Sequence, residues 1–163
     1  MSKIVDFYLN SGSSFNIDKY FSLRDKFYAS KDKKFKHLRL YKKLKKIEDN
    51  NCSFLGTCYK GENVFKGRPN LPHGVFGVFI SQYAKIGENC TIYQNVTIGS
   101  VDKKAPKIGD NCLIGANVCI VGDITIGDNV KIGAGAVVSH NIESNCTVVS
   151  QKPRVIRADK NEI

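Results

Sequence analysis

Aliphatic positions between residues 80 and 142 follow a fixed step. Ile80, Ile86, Ile92 and Ile98, then Ile108, Ile114, Ile120, Ile126, Ile132 and Val138 recur every six residues, with one step of ten between Ile98 and Ile108. A second series follows its counterparts by four residues: Ala84, Cys90, Val96, Cys112, Val118, Ile124, Val130, Ala136 and Ile142. In an α-helix six residues rotate a side chain by about 240°, so either series would point three ways and bury no stripe. In extended chain both offsets are even, and both series face one side. The pattern predicts strands.

Small and turn-forming residues say where each strand ends. Gly87, Gly99, Gly109, Gly115, Gly127 and Gly133 come directly after an aliphatic, and Asn89, Asn95, Asn111, Asn117, Asp123, Asn129, Gly135 and Asn141 three residues after one. These residue types tolerate positive φ. A bend every six residues makes the chain coil, and no coil buries its own aliphatics without a neighbour. The expectation is a mainly β, stacked solenoid of short strands.

The first 50 residues follow another pattern. Phe35, Leu38, Tyr41, Leu44 and Ile47 recur every three residues and are read as one helical packing stripe with lysines opposite. Tyr20, Phe21, Leu23, Phe27 and Tyr28 predict an earlier aromatic helix, and "EDNN" at 48–51 a stop. The expected organisation is a helical, basic N-terminal region over 1–50, a solenoid over 51–156 and a tail over 157–163.

Charge changes this picture in one place. The net charge is +10, and residues 31–46 carry nine Lys or Arg and one Asp, hence +8, leaving about +2 for the rest. Such a segment suits an anionic surface, and a peripheral membrane contact through residues 31–46 is an expectation from charge; no nucleic-acid partner is expected. No apolar run approaches a membrane span. "MSKIVDFYLN" turns polar at once and does not read as a signal peptide. The expected location is cytoplasmic, at most at the inner face of a membrane. The six cysteines show no two-residue spacing and read as small core residues.

The chain has three histidines. His37, in the lysine-rich helix, and His140, after the last aliphatic position, read as solvated. His73 lies in "NLPHGVFGVF", where the six-residue step breaks. Cys52, Cys58 and Val64 step forward to 70 and 76, whereas Ala84 extrapolates back to 78 and 72, a slip of two. A solenoid interrupts its repeat where something must project, and histidine can take a proton near neutral pH.

The unit aliphatic–Gly–x–Asn–small–x resembles the hexapeptide repeat of left-handed parallel β-helix acyltransferases, over roughly residues 52–156. Within that family "HGVFGVFI", "TIYQNVTIG", "APKIGDN", "LIGANVCI" and "KIGAGAVV" resemble the serine acetyltransferase branch. That branch includes relatives that acetylate sugars of surface polysaccharides. The resemblance implies a homotrimer with active sites between subunits. It implies acetyl-CoA as donor, and direct attack by an acceptor hydroxyl with His73 as general base. It implies donor contacts at Gly115, Ala116, Gly133, Ala134 and Arg154, with Lys152 or Arg157 as further phosphate partners, and acceptor contacts at Gln94 and Lys104. A backbone N–H near Gly74 or on a neighbouring coil is the candidate for holding the oxyanion.

Two departures set the expected acceptor. Serine acetyltransferases have an acidic residue before this histidine and another upstream that orients the ring. Here Pro72 precedes His73, residues 54–61 hold no carboxylate, and Glu62 is the nearest upstream candidate. Their loop at the site of the four-residue insertion ends in Arg-His-Pro, where this chain has Lys104, Ala105 and Pro106. The loss of the histidine argues against free serine. A sugar of a surface polysaccharide is therefore the expected acceptor, with serine O-acetyltransfer the alternative. A non-catalytic solenoid with a polyanion-binding helix is the alternative of another class. No metal is expected: β-helix carbonic anhydrases need two ligand histidines close in sequence, and here the spacings are 36 and 67.

Overall fold

The computed structural model describes residues 16–30 and 33–151. Two helices, α1 (Ile17–Tyr28) and α2 (Lys34–Asn50), precede strands of two or three residues. These are β1 (Phe54–Leu55), β2 (Phe79–Ile80), β3 (Lys85–Ile86), β4 (Thr91–Ile92), β5 (Thr97–Gly99) and β6 (Lys107–Ile108). Then follow β7 (Leu113–Ile114), β8 (Cys119–Val121), β9 (Thr125–Ile126), β10 (Lys131–Ile132), β11 (Val137–Val138) and β12 (Thr147–Val148). They form three parallel sheets: face A is β1-β2-β5-β8-β11, face B is β3-β6-β9 and face C is β12-β10-β7-β4. From β2 onward the chain visits A, B and C in turn, so each coil is a triangle and each sheet a side of the prism.

The six-residue step gives this shape for the reason expected. Asn89, Asn95, Asn111, Asn117 and Asn129 turn the corners at φ between 55° and 59°. Ile80, Ile98, Ile120 and Val138 stack in register on face A, and the inward residues of all faces share one core. Near position 123 the left-handed residue is Gly122 instead, at φ 99°. The final coil is also shorter than the period predicts. Ile142 bridges to Ile126, sixteen residues back rather than the eighteen that separate Ile108 from Ile126. Ile142 therefore takes the role of a first-series residue on face B, not a second-series one.

The first coil is longer. Nine positions separate Asn70 from Phe79, where six separate their partners Thr91 and Thr97. The slip read as two residues is thus an extension of three, at the corner between faces C and A. Leu71, Val75 and Val78 turn inward and pin it, while His73 and Phe76 project. Gly77 turns the chain at φ 68° against Asn95 of the next coil, where a Cβ would collide with the Asn95 side chain.

The helices close the N-terminal end of the prism through a buried polar network. The Arg24 guanidinium donates to Tyr20 Oη (3.0 Å), Thr57 Oγ1 (2.6 Å) and Asn63 Oδ1 (3.0 Å). Glu48 Oε1 accepts from Tyr20 Oη (2.6 Å) and Thr57 Oγ1 (2.5 Å). Arg24 and Glu48 are fully buried, so each charge is compensated by the other and by the hydroxyls between them. Burial pushes the Tyr20 hydroxyl well above its ordinary range, with Arg24 opposing and Glu48 adding.

Three expectations for side chains are corrected here. The step of three does not make one stripe on α2, because each step rotates by about 300° and the set drifts around the helix. Phe35 is 93 % exposed and Leu38 41 %, while His37, Leu40, Leu44 and Glu48 form the buried side. His37 is buried, not solvated: its ring stacks on Phe27 at 4.2 Å and its Nε2 lies 2.7 Å from the Tyr59 carbonyl oxygen. Of the six free cysteines only Cys90 and Cys112 are buried; Cys52 is exposed and the others lie between.

Candidate active site

The extended corner places His73 at the solvent-facing edge between faces C and A. Its Nδ1 is 2.6 Å from Gln94 Oε1, and its ring meets Tyr93 edge-on at 5.4 Å. An amide oxygen only accepts, so Nδ1–H is the donor, and in the neutral ring the lone pair is then on Nε2. The exposed imidazole in that tautomer has a nitrogen able to accept a proton. The ring's hydrogen-bond partner is Gln94, while Glu62 pairs with Lys85 at 2.6 Å. Gln94, expected as an acceptor contact, is here the hydrogen-bond partner of His73. The repeat carries a signal for this. Gln94 stands two residues after Ile92, where the later coils have Ala116 after Ile114 and Ala134 after Ile132.

The Gly74 N–H donates to the Leu71 carbonyl at 3.0 Å and is not free to hold an oxyanion. The N–H groups of Ala116 and Ala134 make no hydrogen bond to a described residue. Both lie on the edge that carries His73, as the bonds Asn117 N–H to Gln94 O and Gly135 N–H to Ala116 O show. From His73 to Ala134 the edge spans three coil steps of about 4.8 Å, about 14 Å in all. Gly115 and Gly133 lie on it too. A Cβ on Gly115 would press on the backbone of Gly133 and Ala134, so coil stacking by itself requires that glycine. His140 is exposed as expected. Arg154, Lys152 and Arg157 lie outside the described residues.

Lys104 is not brought to His73 within one chain. The insertion folds as a tight hairpin between β5 and β6, at the corner between faces A and B. Val101 and Lys104 exchange backbone hydrogen bonds (2.8 and 2.9 Å) around Asp102 and Lys103, both at positive φ. The Lys104 ammonium pairs with Asp123 at 3.1 Å, and Ala105 is buried. Two surface depressions do not contain His73. The first, of about 410 Å³, lies beside Lys66, Lys85 and Asp110. The second, of about 440 Å³, lies against Phe79 and Tyr83. Among the described residues no three His, Cys, Asp or Glu gather as a metal site, and no helix is long and apolar enough to cross a membrane.

Fold and repeat together define a hexapeptide-repeat β-solenoid. The family described as bacterial transferase hexapeptide (six repeats) matches residues 105–140. Serine acetyltransferases are homologues of the chain. That of Synechococcus elongatus is 41 % identical over 100 residues, 59 % of this chain and 38 % of the relative. That of Staphylococcus xylosus is 36 % identical over 133 residues, 76 % of this chain and 61 % of the relative. A crystal structure of serine acetyltransferase isoform 3 in complex with cysteine, from Entamoeba histolytica, superposes with a TM-score of 0.58 at 33 % identity. It covers 74 % of this chain and 43 % of that one. The chain thus spans from about two fifths to three fifths of the length of the curated relatives it matches.

Proposed function

We propose that the chain is an acetyl-CoA-dependent O-acetyltransferase with His73 as its general base, and that its acceptor is the hydroxyl of L-serine. The observation that carries the chemistry is the His73–Gln94 contact, which leaves Nε2 as a proton acceptor at a projecting corner. His73 Nε2 takes the hydroxyl proton as the acceptor oxygen attacks the thioester carbonyl carbon. The tetrahedral intermediate then expels the CoA sulfur, breaking the C–S bond, and the imidazolium returns the proton to the thiolate. A positioned base of this kind contributes about a hundred- to ten-thousand-fold. Ala116 and Ala134 present small side chains along the same edge, and N–H groups without a partner among the described residues, which suits a linear pantetheine amide chain.

The serine acetyltransferase homologues move the expected acceptor from a sugar to serine. One observation favours the sugar reading: Ala105 is buried where serine acetyltransferases carry the histidine of Arg-His-Pro, and Lys104 is taken up by Asp123. Lys104 reaches the His73 of another copy only if subunits pack side by side. A homotrimer with sites between subunits fits face A, whose outward column is Phe54, Phe79, Thr97, Cys119 and Val137. The outward residues of faces B and C include Lys85, Lys107 and Lys131 instead.

Acetyl transfer from acetyl-CoA to L-serine, read by product mass with CoA binding by calorimetry as control, tests the proposal. O-acetylserine formed by the native chain and lost in His73→Ala supports it. CoA binding with serine untouched moves the acceptor back to nucleotide sugars and oligosaccharides. Absence of CoA binding leaves a non-catalytic solenoid.

A further inference from the structure

Among the described residues, helix α2 is held from one side. His37, Leu40, Leu44 and Glu48 are its buried residues. The stacking of His37 on Phe27 and the Glu48 network with Arg24 fix the rotation of the helix about its axis. At about 100° per residue, the opposite side carries Phe35, Arg39, Lys42 and Lys46, with Leu38 on one flank and Lys36 and Lys43 on the other. Phe35 is 93 % exposed and sits at the centre of that side.

Lys34, Lys36, Arg39, Lys42, Lys43 and Lys46 form no ion pair with a described residue, whereas Lys45 leans back to Glu48 at 3.1 Å and Asp49 at 3.8 Å. Asp49 is the one carboxylate on the outward side of the helix, and Lys45 already meets it. The helix cannot turn to hide Phe35 without breaking the buried anchors.

We infer that the outward face of α2 docks the protein on an anionic bilayer, with Phe35 and Leu38 entering the headgroup–acyl boundary and Arg39, Lys42, Lys43 and Lys46 meeting lipid headgroups. Charge complementarity selects an anionic occupant. The aromatic selects a bilayer over a soluble polyanion, because cations alone satisfy a polyanion while an interfacial helix uses both an apolar wedge and a basic flank. This docking stands apart from the acetyl-transfer chemistry.

The chain has no tryptophan, so Phe35→Trp creates a single reporter at the proposed contact. The expected result is a blue-shifted emission with vesicles of phosphatidylcholine containing about 30 % phosphatidylglycerol, and none with phosphatidylcholine alone. In co-sedimentation, Phe35→Ser lowers partition onto the anionic vesicles about tenfold. Arg39→Glu with Lys42→Glu lowers it about a hundredfold. Circular dichroism and CoA binding stay unchanged, since none of these side chains packs in the core. No binding to anionic vesicles overturns the inference. So does binding indifferent to Phe35→Ser, which would be general polyanion attraction. A Phe35→Ser chain whose oligomeric mass falls also overturns it, since the face would then be a contact between copies.

Discussion

Gln94, one coil further along the solenoid, accepts a hydrogen bond from His73 Nδ1 at 2.6 Å. In a histidine base the usual partner is a carboxylate, which fixes the tautomer and also stabilises the imidazolium. A neutral amide does only the first. Gln94→Glu should therefore raise the pKa of the ascending limb of the kcat/KM profile by about one to two pH units, since a nearby negative charge favours the protonated ring. Gln94→Leu should lower kcat about ten- to a hundredfold without moving CoA affinity. Steady-state kinetics across pH check both. An unmoved limb in Gln94→Glu would show that His73 is not the titrating base.

The Arg24–Glu48 pair predicts a stability effect far from the site. Removing one member of a fully buried pair leaves the other charge uncompensated, at a cost of about 3–5 kcal/mol. Glu48→Ala should lower the denaturation free energy by that amount. Glu48→Gln should cost less, since an amide oxygen still accepts from Tyr20 and Thr57. Urea unfolding followed by circular dichroism at fixed protein concentration measures both, and equal losses would refute the network's role.

Face A predicts an assembly effect. Val137 is 71 % exposed at the end of an uncharged outward column. A lysine there would face a partner in the proposed trimer and solvent in a monomer. Light scattering should show Val137→Lys at one third of the native mass, with unchanged circular dichroism. A native mass equal to one chain would remove the trimer.

Asp110 predicts an acid-side effect. It accepts from the Glu88 N–H at 2.8 Å and from Lys66 at 3.2 Å. The first contact, helped by the second, holds its carboxyl below the usual range. A carboxyl lowered in the folded state adds stability above its unfolded value of about 4, and that stability is lost as pH falls through the folded value. The difference in urea midpoint between the native chain and Asp110→Ala should be present at pH 6 and vanish toward pH 2. A difference constant across that range would refute the assignment.

The solenoid was legible in the sequence because a strand step of six with turn formers between is a local property. Asn89, Asn95, Asn111, Asn117 and Asn129 each need left-handed backbone where they stand, whatever lies elsewhere. The irregular corner at His73 was legible for a related reason: it lies where the local step fails. Three things only the tertiary structure decided. The partner of His73 comes from the next coil, and no spacing rule chose Gln94 over Glu62, because the corner's length sets which side chains meet. Lys104 lies away from His73 within one chain because its hairpin sits at another corner of the prism. The side of α2 that faces the core was settled by His37, Leu40, Leu44 and Glu48 finding partners on α1 and the first coil. That rotation left Phe35 in solvent although its spacing matched Leu44. Local conformation follows from residue types along the chain, whereas pairing and orientation follow from what the fold brings alongside them.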